Sequence, residues 1–360
     1  MAPPHPLELY RVKGSHREVG LQMGELGAEQ IGRSVARLDG ELPEGRSRSQ
    51  QLALAKTYRD VTASSLPWLI DELDGCAEGA GVEPLELFAA TIEEIWYVPY
   101  AKATEGRCSD VVAGPSATAD GHLWIGHNND LRPETEPDIV AIEKAVDHEP
   151  VILQIGGVPW ISVGFNQAGL SLTGNELSPL DERVGISRSH QVFEMLSARN
   201  LHEMIAMAIR PDRASSYNNV LADHHGDVAN VEGSATDVDI TRVDDDDHLV
   251  HTNHYVSERM RRYEGDPDYA TRSDVRRCRA RDLLAERPPG SITPEALRGV
   301  LSDHENQPDE VCRHPEFGHP GTKTVFWCLA DVTDGRIIFG RGNPCDSMQQ
   351  EYVFAGYGEV

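Results

Sequence analysis

The thiols of this sequence are Cys76, Cys108, Cys278, Cys312, Cys328 and Cys345. They are scattered, with no C-x-x-C pair and no finger spacing, which argues against both a disulfide scaffold and a structural zinc site. The ordinary fate of such a residue is that of a small buried hydrophobe. Cys108 stands apart because it sits in EGRCSDVV, at the junction between a helical stretch and the first β pattern. Acyl transfer needs a nucleophile that is partly ionised near neutral pH, and a free thiol with a pKa of about 8.5 is so only modestly. If the peptide bond before Cys108 is cut, the new α-amino group of the same residue, with an intrinsic pKa of about 7.7 to 8.0, can take the thiol proton. No separate histidine is then required.

Other polar residues invite chemistry less strongly. His251 and His254 have H-x-x-H spacing, but no carboxylate or cysteine neighbour completes a metal site, so they read as satisfied histidines. Cys312-Arg313-His314 fails as a metal motif for the same reason, having no partner at ligand spacing. Asp130, in NND after a strand pattern, could cap a loop. Arg313 is one of many arginines.

The elements that must position these residues follow from periodicity. The first hundred residues read as helical, with Val19, Met23, Leu26, Ile31 and Val35 near helical spacing and further helical patterns over Leu66 to Ala77 and Pro84 to Tyr97. After Cys108 come short β runs, DVVAG, HLWIGH, IVAIEKAV, VILQIGG and WISVGF, then helices over Gln191 to Arg199 and Leu201 to Ile209. Strands NNVLAD, VANVEG, VDITRV and HLVHTN follow, then helices over Asp274 to Glu286 and Pro294 to His304. A hairpin turning at Thr333-Asp334-Gly335 closes the pattern. Blocks of strands and helices in this order predict an α+β fold of stacked sheets with helices outside.

Composition bounds the class. With 59 Asp and Glu against 33 Lys and Arg, the net charge is −26, which makes nucleic acid an unlikely partner. The lysines are Lys13, Lys56, Lys102, Lys144 and Lys323, so arginine carries most of the positive charge, while the acidic run Asp244 to Asp247 reads as a loop. Such a surface suits a salt-rich cytoplasm, where about 1 M salt cuts the screening length to roughly 3 Å, as well as an ordinary acidic enzyme from a GC-rich genome. No apolar run approaches the ~20 residues that span a bilayer, and the start lacks a secretory pattern, so no membrane partner and a cytoplasmic location are expected.

From Cys108 onward the blocks CSDVVAGPSATADGHLWIGHNND, GFNQAGLSLTGNEL, ASSYNNVLADHHGDVANVEGS, HTNHY, VCRHPE and GNPC occur in an order that resembles the isopenicillin N acyltransferase family of N-terminal nucleophile (Ntn) hydrolases. GSHREVGLQMGELGAEQI and ELDGCAEGAGV are similar to that family's propeptide. The resemblance implies a four-layer αββα sandwich, with residues 1–107 as a helical pro-segment and 108–360 as the catalytic portion. It implies self-cleavage between Arg107 and Cys108, after which the two fragments stay associated. It places the nucleophile on Cys108, the acid of the N-x-D element on Asp130, the oxyanion asparagine on Asn253 and an arginine on Arg313. Asn128, Asn175, Ser216 and Glu232 fall on further motif positions, as substrate-binding or supporting residues. In this scheme the Arg313 guanidinium favours thiolate, Asp130 holds the arginine or the ammonium, and an Asn253 amide N–H meets the oxyanion.

The type member has glycine before the nucleophile, where this chain has the bulkier Arg107. That departure is the one support for a rival reading, an unprocessed and inert binding protein of the same fold. The substrates implied are N-acyl amino acids, acyl-peptides or related amides, with coenzyme A thioesters among the donors. No metal and no redox cofactor is expected, since a thiol, an amine and fixed dipoles suffice.

Overall fold

In the computed structural model, which describes residues 5–40, 42–96, 107–243, 248–317 and 321–359, the first element is a strand rather than a helix. β1 (Leu9–Gly14) precedes α1 (His16–Leu26), α2 (Ala28–Arg37), α3 (Arg48–Ser65), α4 (Pro67–Ala80) and α5 (Pro84–Thr91). The switch from strand to helix is made at Ser15. Its side chain accepts from Glu18 N while its own N–H donates to the Glu18 carboxylate, a capping box that satisfies two groups the first helical turn leaves open.

Eleven more elements lead to the last sheet-forming stretch. They are β2 (Arg107–Ala113), β3 (Trp124–Leu131), β4 (Val140–Val146), β5 (Ile152–Gly156), β6 (Ile161–Asn166), β7 (Leu170–Asn175), α6 (Arg188–Leu196), α7 (Leu201–Ala208), β8 (Asn218–Asp223), β9 (Val228–Gly233) and β10 (Val238–Arg242). Then come β11 (His248–His251), α8 (Pro267–Ala285), α9 (Pro294–Leu301), β12 (Lys323–Asp331), β13 (Arg336–Arg341) and β14 (Gln350–Val353). The expected turn between β12 and β13 is present, with Gly335 at φ +68°, where a side chain would be strained. The acidic run 244–247 and the residues 97–106 leading to the expected cleavage junction lie outside the described residues.

Two sheets form, ordered β1-β4-β5-β6-β7-β8-β9-β10 and β11-β2-β3-β12-β13-β14. Their neighbours run antiparallel except β1, which pairs parallel with β4 from Leu9 opposite Ala141 to Gly14 opposite Val146. The expectation of an all-helical first hundred residues is therefore corrected at β1. LYRVKG carries too little local pattern to announce a strand, and its backbone groups are satisfied by a sheet edge about 130 residues away.

Alternation sorts the side chains into layers. Leu153, Ile155, Val163, Phe165, Val220 and Ala222 face Val112, Ile125, Phe326, Cys328 and Phe339 of the smaller sheet, forming the core between the sheets. On the outer face of the larger sheet, Ile152, Leu170, Leu172, Leu221 and Val231 pack under α3 to α7. On the outer face of the smaller sheet, Val111, Trp124, Trp327 and Leu329 pack under Ala280, Leu284, Leu297 and Leu301 of α8 and α9. This is the four-layer αββα sandwich expected from the sequence.

In the outer helical layer α1 and α4 touch backbone to backbone. A Cβ added at Gly20 would lie 1.9 Å from Glu72 O, one at Gly24 2.1 Å from Cys76 O, and one at Gly75 2.3 Å from Arg17 O. Glycine at these positions sets the distance between the helices.

Candidate active site

Cys108 is the second residue of β2 and is buried. β2 lies between β11 and β3, so Cys108 sits opposite Asn129 and Arg107 opposite Asp130. β12 then brings Thr324 opposite Asp130. The loop after β11 carries Asn253 over the start of β2, and α8 covers it from outside. Four elements distant in sequence thus meet at one residue.

The contacts are specific. The Cys108 backbone N–H donates to Asn253 Oδ1 at 2.8 Å. That oxygen also accepts from Arg276 Nη2 at 2.8 Å and Tyr269 OH at 3.4 Å, while Asn253 Nδ2 donates to Glu176 O at 3.1 Å. The amide orientation is therefore fixed by donors on one side and an acceptor on the other. Asn129 Nδ2 approaches Cys108 Sγ at 3.4 Å and donates to Ser162 Oγ at 2.6 Å. On the opposite face of β3, Asp130 Oδ1 accepts from Thr324 Oγ1 at 2.6 Å, and Oδ2 lies 3.6 Å from Arg313 Nε.

Burial pushes the Cys108 thiol well above its ordinary value, and the carboxylates of Asp130, Asp110 and Glu176 push it further, against the Asp130 backbone N–H. Burial likewise raises the Asp130 carboxyl, opposed by Arg313, the Thr324 hydroxyl and Arg276. In the uncut chain the Arg313 guanidinium, expected to favour thiolate, faces two carboxylates. The guanidinium spends its charge on Asp130 and on Asp309, 3.7 Å away, and the carboxylates dominate at the sulfur.

Cys108 borders a cavity whose lining is in part apolar and in part polar. Leu131, Trp160, Ile161, Leu172 and Val192 form the apolar part. Glu93, Asn129, Asn175, Glu176 and Tyr217 contribute to the polar one. Beneath it the buried Arg188 bonds Glu93 Oε2 at 2.6 Å and Glu176 Oε1 at 3.0 Å, with its guanidinium 4.8 Å from the Tyr217 ring centre. Asn175 Oδ1 accepts from Asn218 Nδ2 at 3.3 Å and lies 2.9 Å from His251 Nδ1. Its Nδ2 is buried with no hydrogen-bond partner among the described residues.

The other expected positions support rather than line the cavity. Asn128 Nδ2 donates to Leu301 O and Val311 O, tying β3 to the end of α9 and to the loop that carries Arg313. Ser216 donates to Tyr217 O. Glu232 accepts from Val256 N and Ser257 N and bonds His251 Nε2 at 2.7 Å, holding the loop that presents Asn253. His251 and His254 are satisfied by Asn175, Glu232 and Ser273, as the sequence suggests.

Arg276 and Tyr269 were not legible, because RSDVRRCRARD offers no local sign of which arginine turns inward. Glu93, Arg188 and Trp160 stand outside the quoted motifs. Glu176 and Tyr217 lie inside two of them but carry no pattern of their own. Cys312 and His314, read as having no partner at ligand spacing, have neighbours that the spacing does not show. The fold brings His304 and Cys345 to them, and ligand atoms of all four residues lie within 4.8 Å of one another.

Comparison with known proteins gives a family match over residues 116–346, to the model described as acyl-coenzyme A:6-aminopenicillanic acid acyl-transferase, beginning eight residues after Cys108. Comparison with curated proteins finds no matching sequence. Among solved structures, a mutant conjugated bile acid hydrolase from Clostridium perfringens is similar at 11% identity and TM-score 0.45, over 69% of this chain and 97% of that one. Penicillin V acylase from Agrobacterium tumefaciens is similar at 15% identity and TM-score 0.41, over 69% of this chain and 78% of that one.

Proposed function

Since the chain belongs to the acyl-coenzyme A:6-aminopenicillanic acid acyl-transferase family of Ntn amide hydrolases and acyltransferases, we propose that it cuts itself before Cys108 and then forms a thioester acyl-enzyme there. The observation that carries this reading is the pairing at Cys108. Its nitrogen is held by Asn253 while the residue borders a partly apolar cavity.

In the precursor the Cys108 thiol adds to the Arg107 carbonyl, the C–N bond breaks as the nitrogen takes the thiol proton, and a thioester forms. Water hydrolyses it, releasing the Arg107 carboxylate and the Cys108 thiol beside a free α-amine. The amine then takes the thiol proton as sulfur attacks a substrate amide, and returns it to the leaving amine. Asn253 Nδ2, expected at the oxyanion, donates one of its two N–H groups to Glu176 O. Asn175 Nδ2, buried without a hydrogen-bond partner among the described residues, is a further donor, with Asn129 Nδ2 close to the sulfur. The apolar lining suits an acyl chain, in keeping with N-acyl amino acid or acyl-peptide substrates, and the acyl group passes to water or a small amine.

Denaturing mass spectrometry tests the first step. Two fragments, residues 1–107 and 108–360, are expected from the wild type, and one uncut, inactive chain from Cys108→Ala. A wild-type chain that is fully active while uncut would overturn the mechanism, since an amide nitrogen cannot act as the base.

A further inference from the structure

We propose that His304, Cys312, His314 and Cys345 bind one zinc ion in a tetrahedral site that fixes the loop carrying Arg313. Cys312 Sγ lies 3.8 Å from Cys345 Sγ, and His314 Nε2 lies 3.5 Å from Cys312 Sγ and 3.4 Å from Cys345 Sγ. With Zn–S about 2.3 Å and Zn–N about 2.0 to 2.1 Å, a regular tetrahedron has S–S edges of roughly 3.8 Å and S–N edges of roughly 3.5 Å. Cys312, Cys345 and His314 already stand at three corners of such a polyhedron. The fourth ligand would be His304, which offers a ring nitrogen within 4.8 Å of the other three ligand atoms and whose Nε2 is buried with no hydrogen-bond partner among the described residues.

The surroundings fit a metal site. His314 turns its other nitrogen, Nδ1, toward Glu316 Oε1 at 3.5 Å, an outer carboxylate of the kind that orients ligating imidazoles. Asn343 Nδ2 points at Cys312 Sγ from 3.4 Å, a donor suited to a thiolate. Phe317 packs against both imidazole rings, 5.5 Å from His304 and 4.9 Å from His314 between centroids. Cys345 is exposed and gives the ion a way in. Two thiols and two imidazoles select zinc over magnesium or calcium, and four protein ligands leave no open position, which marks the site as structural. A disulfide would need sulfurs about 2.05 Å apart and would leave both imidazoles without a role.

The ion would join the connection from α9 to β12, which carries His304, Cys312 and His314, to the loop after β13, which carries Cys345. Arg313 lies between two ligands. Its N–H donates to Thr324 Oγ1 at 2.9 Å, the hydroxyl that donates to Asp130, and its carbonyl accepts from Asn343 Nδ2 at 2.7 Å. The site therefore positions Arg313 against Asp130 without touching substrate.

The full chain, purified without chelator and dialysed, should carry about one zinc per chain by mass-spectrometric metal analysis. Cys345→Ser, at an exposed position, and His304→Gln should each lower that to below about a tenth while circular dichroism stays unchanged. Cobalt substitution of the wild type should give a thiolate-to-metal charge-transfer band that Cys345→Ser lacks. Wild type that binds neither zinc nor cobalt stoichiometrically, or that yields a Cys312–Cys345 disulfide after anaerobic purification, would overturn the proposal. Metal content is read without any activity assay, so its outcome is independent of the proposed acyl chemistry.

Discussion

The side-chain oxygen of Asn253 and the backbone nitrogen of Cys108 are joined by a 2.8 Å hydrogen bond, so the asparagine reaches the nucleophile through its nitrogen rather than its sulfur. Once that nitrogen is a free amine, the same oxygen can accept one of its protons and turn the lone pair toward the thiol. Asn253→Ala should therefore lower kcat by about 10² to 10³, the usual loss for one oriented polar group at a reacting centre. KM should change far less, because the apolar lining that holds the acyl chain is untouched. Steady-state kinetics on the processed variant, with cleavage followed by mass spectrometry, check both.

How much of this could be read from the sequence depends on how local each signal is. Strands β2 to β6 announce themselves as short runs of β character, and Cys108 by standing at the change of pattern. β1 does not, since its pairing partner β4 is remote and its six residues precede a strong helix. Asn253 and Arg313 were found through family motifs, while their periodicity says nothing. Arg276 was missed because burial chooses one arginine of a run, and that choice is made by the packing of α8 on β11. His304 and Cys345 escape for a like reason, since the cluster forms only where the α9–β12 connection folds back on itself and meets the loop after β13.

The thiol makes a pH prediction. Burial and the carboxylates of Asp130, Asp110 and Glu176 hold Cys108 well above the ordinary thiol range, so in the uncut chain its thiolate fraction is smaller than that of free cysteine at every pH below its pKa. Iodoacetamide should label it more slowly than free cysteine at pH 8, and the rate should still be climbing above pH 9. Asp130→Asn removes the charge that contributes most after burial and should move the profile to lower pH, even as catalysis falls. Labelling of the wild type at the free-cysteine rate at pH 7 would contradict the assignment.

Glycine-to-alanine exchanges in the outer helices should differ in sign. At Gly20 in α1 the new Cβ meets Glu72 O at 1.9 Å, and backbone cannot yield as a flexible side chain can, so Gly20→Ala should destabilise by about 1 to 3 kcal/mol. At Gly32 in α2 a Cβ meets nothing within 4 Å, and Gly32→Ala should stabilise by up to about 1 kcal/mol through helix propensity. Urea unfolding of the two variants beside the wild type measures both.

β1 lies before Cys108 in sequence, yet it hydrogen-bonds along its length to β4, which lies after it. A cut at Cys108 would turn that seam of a single chain into the interface of a heterodimer. While the tether is intact, β1 finds its edge at the high effective concentration of a linked segment; once it is cut, reassembly after unfolding becomes second order and weakens with dilution. Maturation would then act as a ratchet, in which the precursor folds reversibly and the processed pair persists through the slowness of its separation.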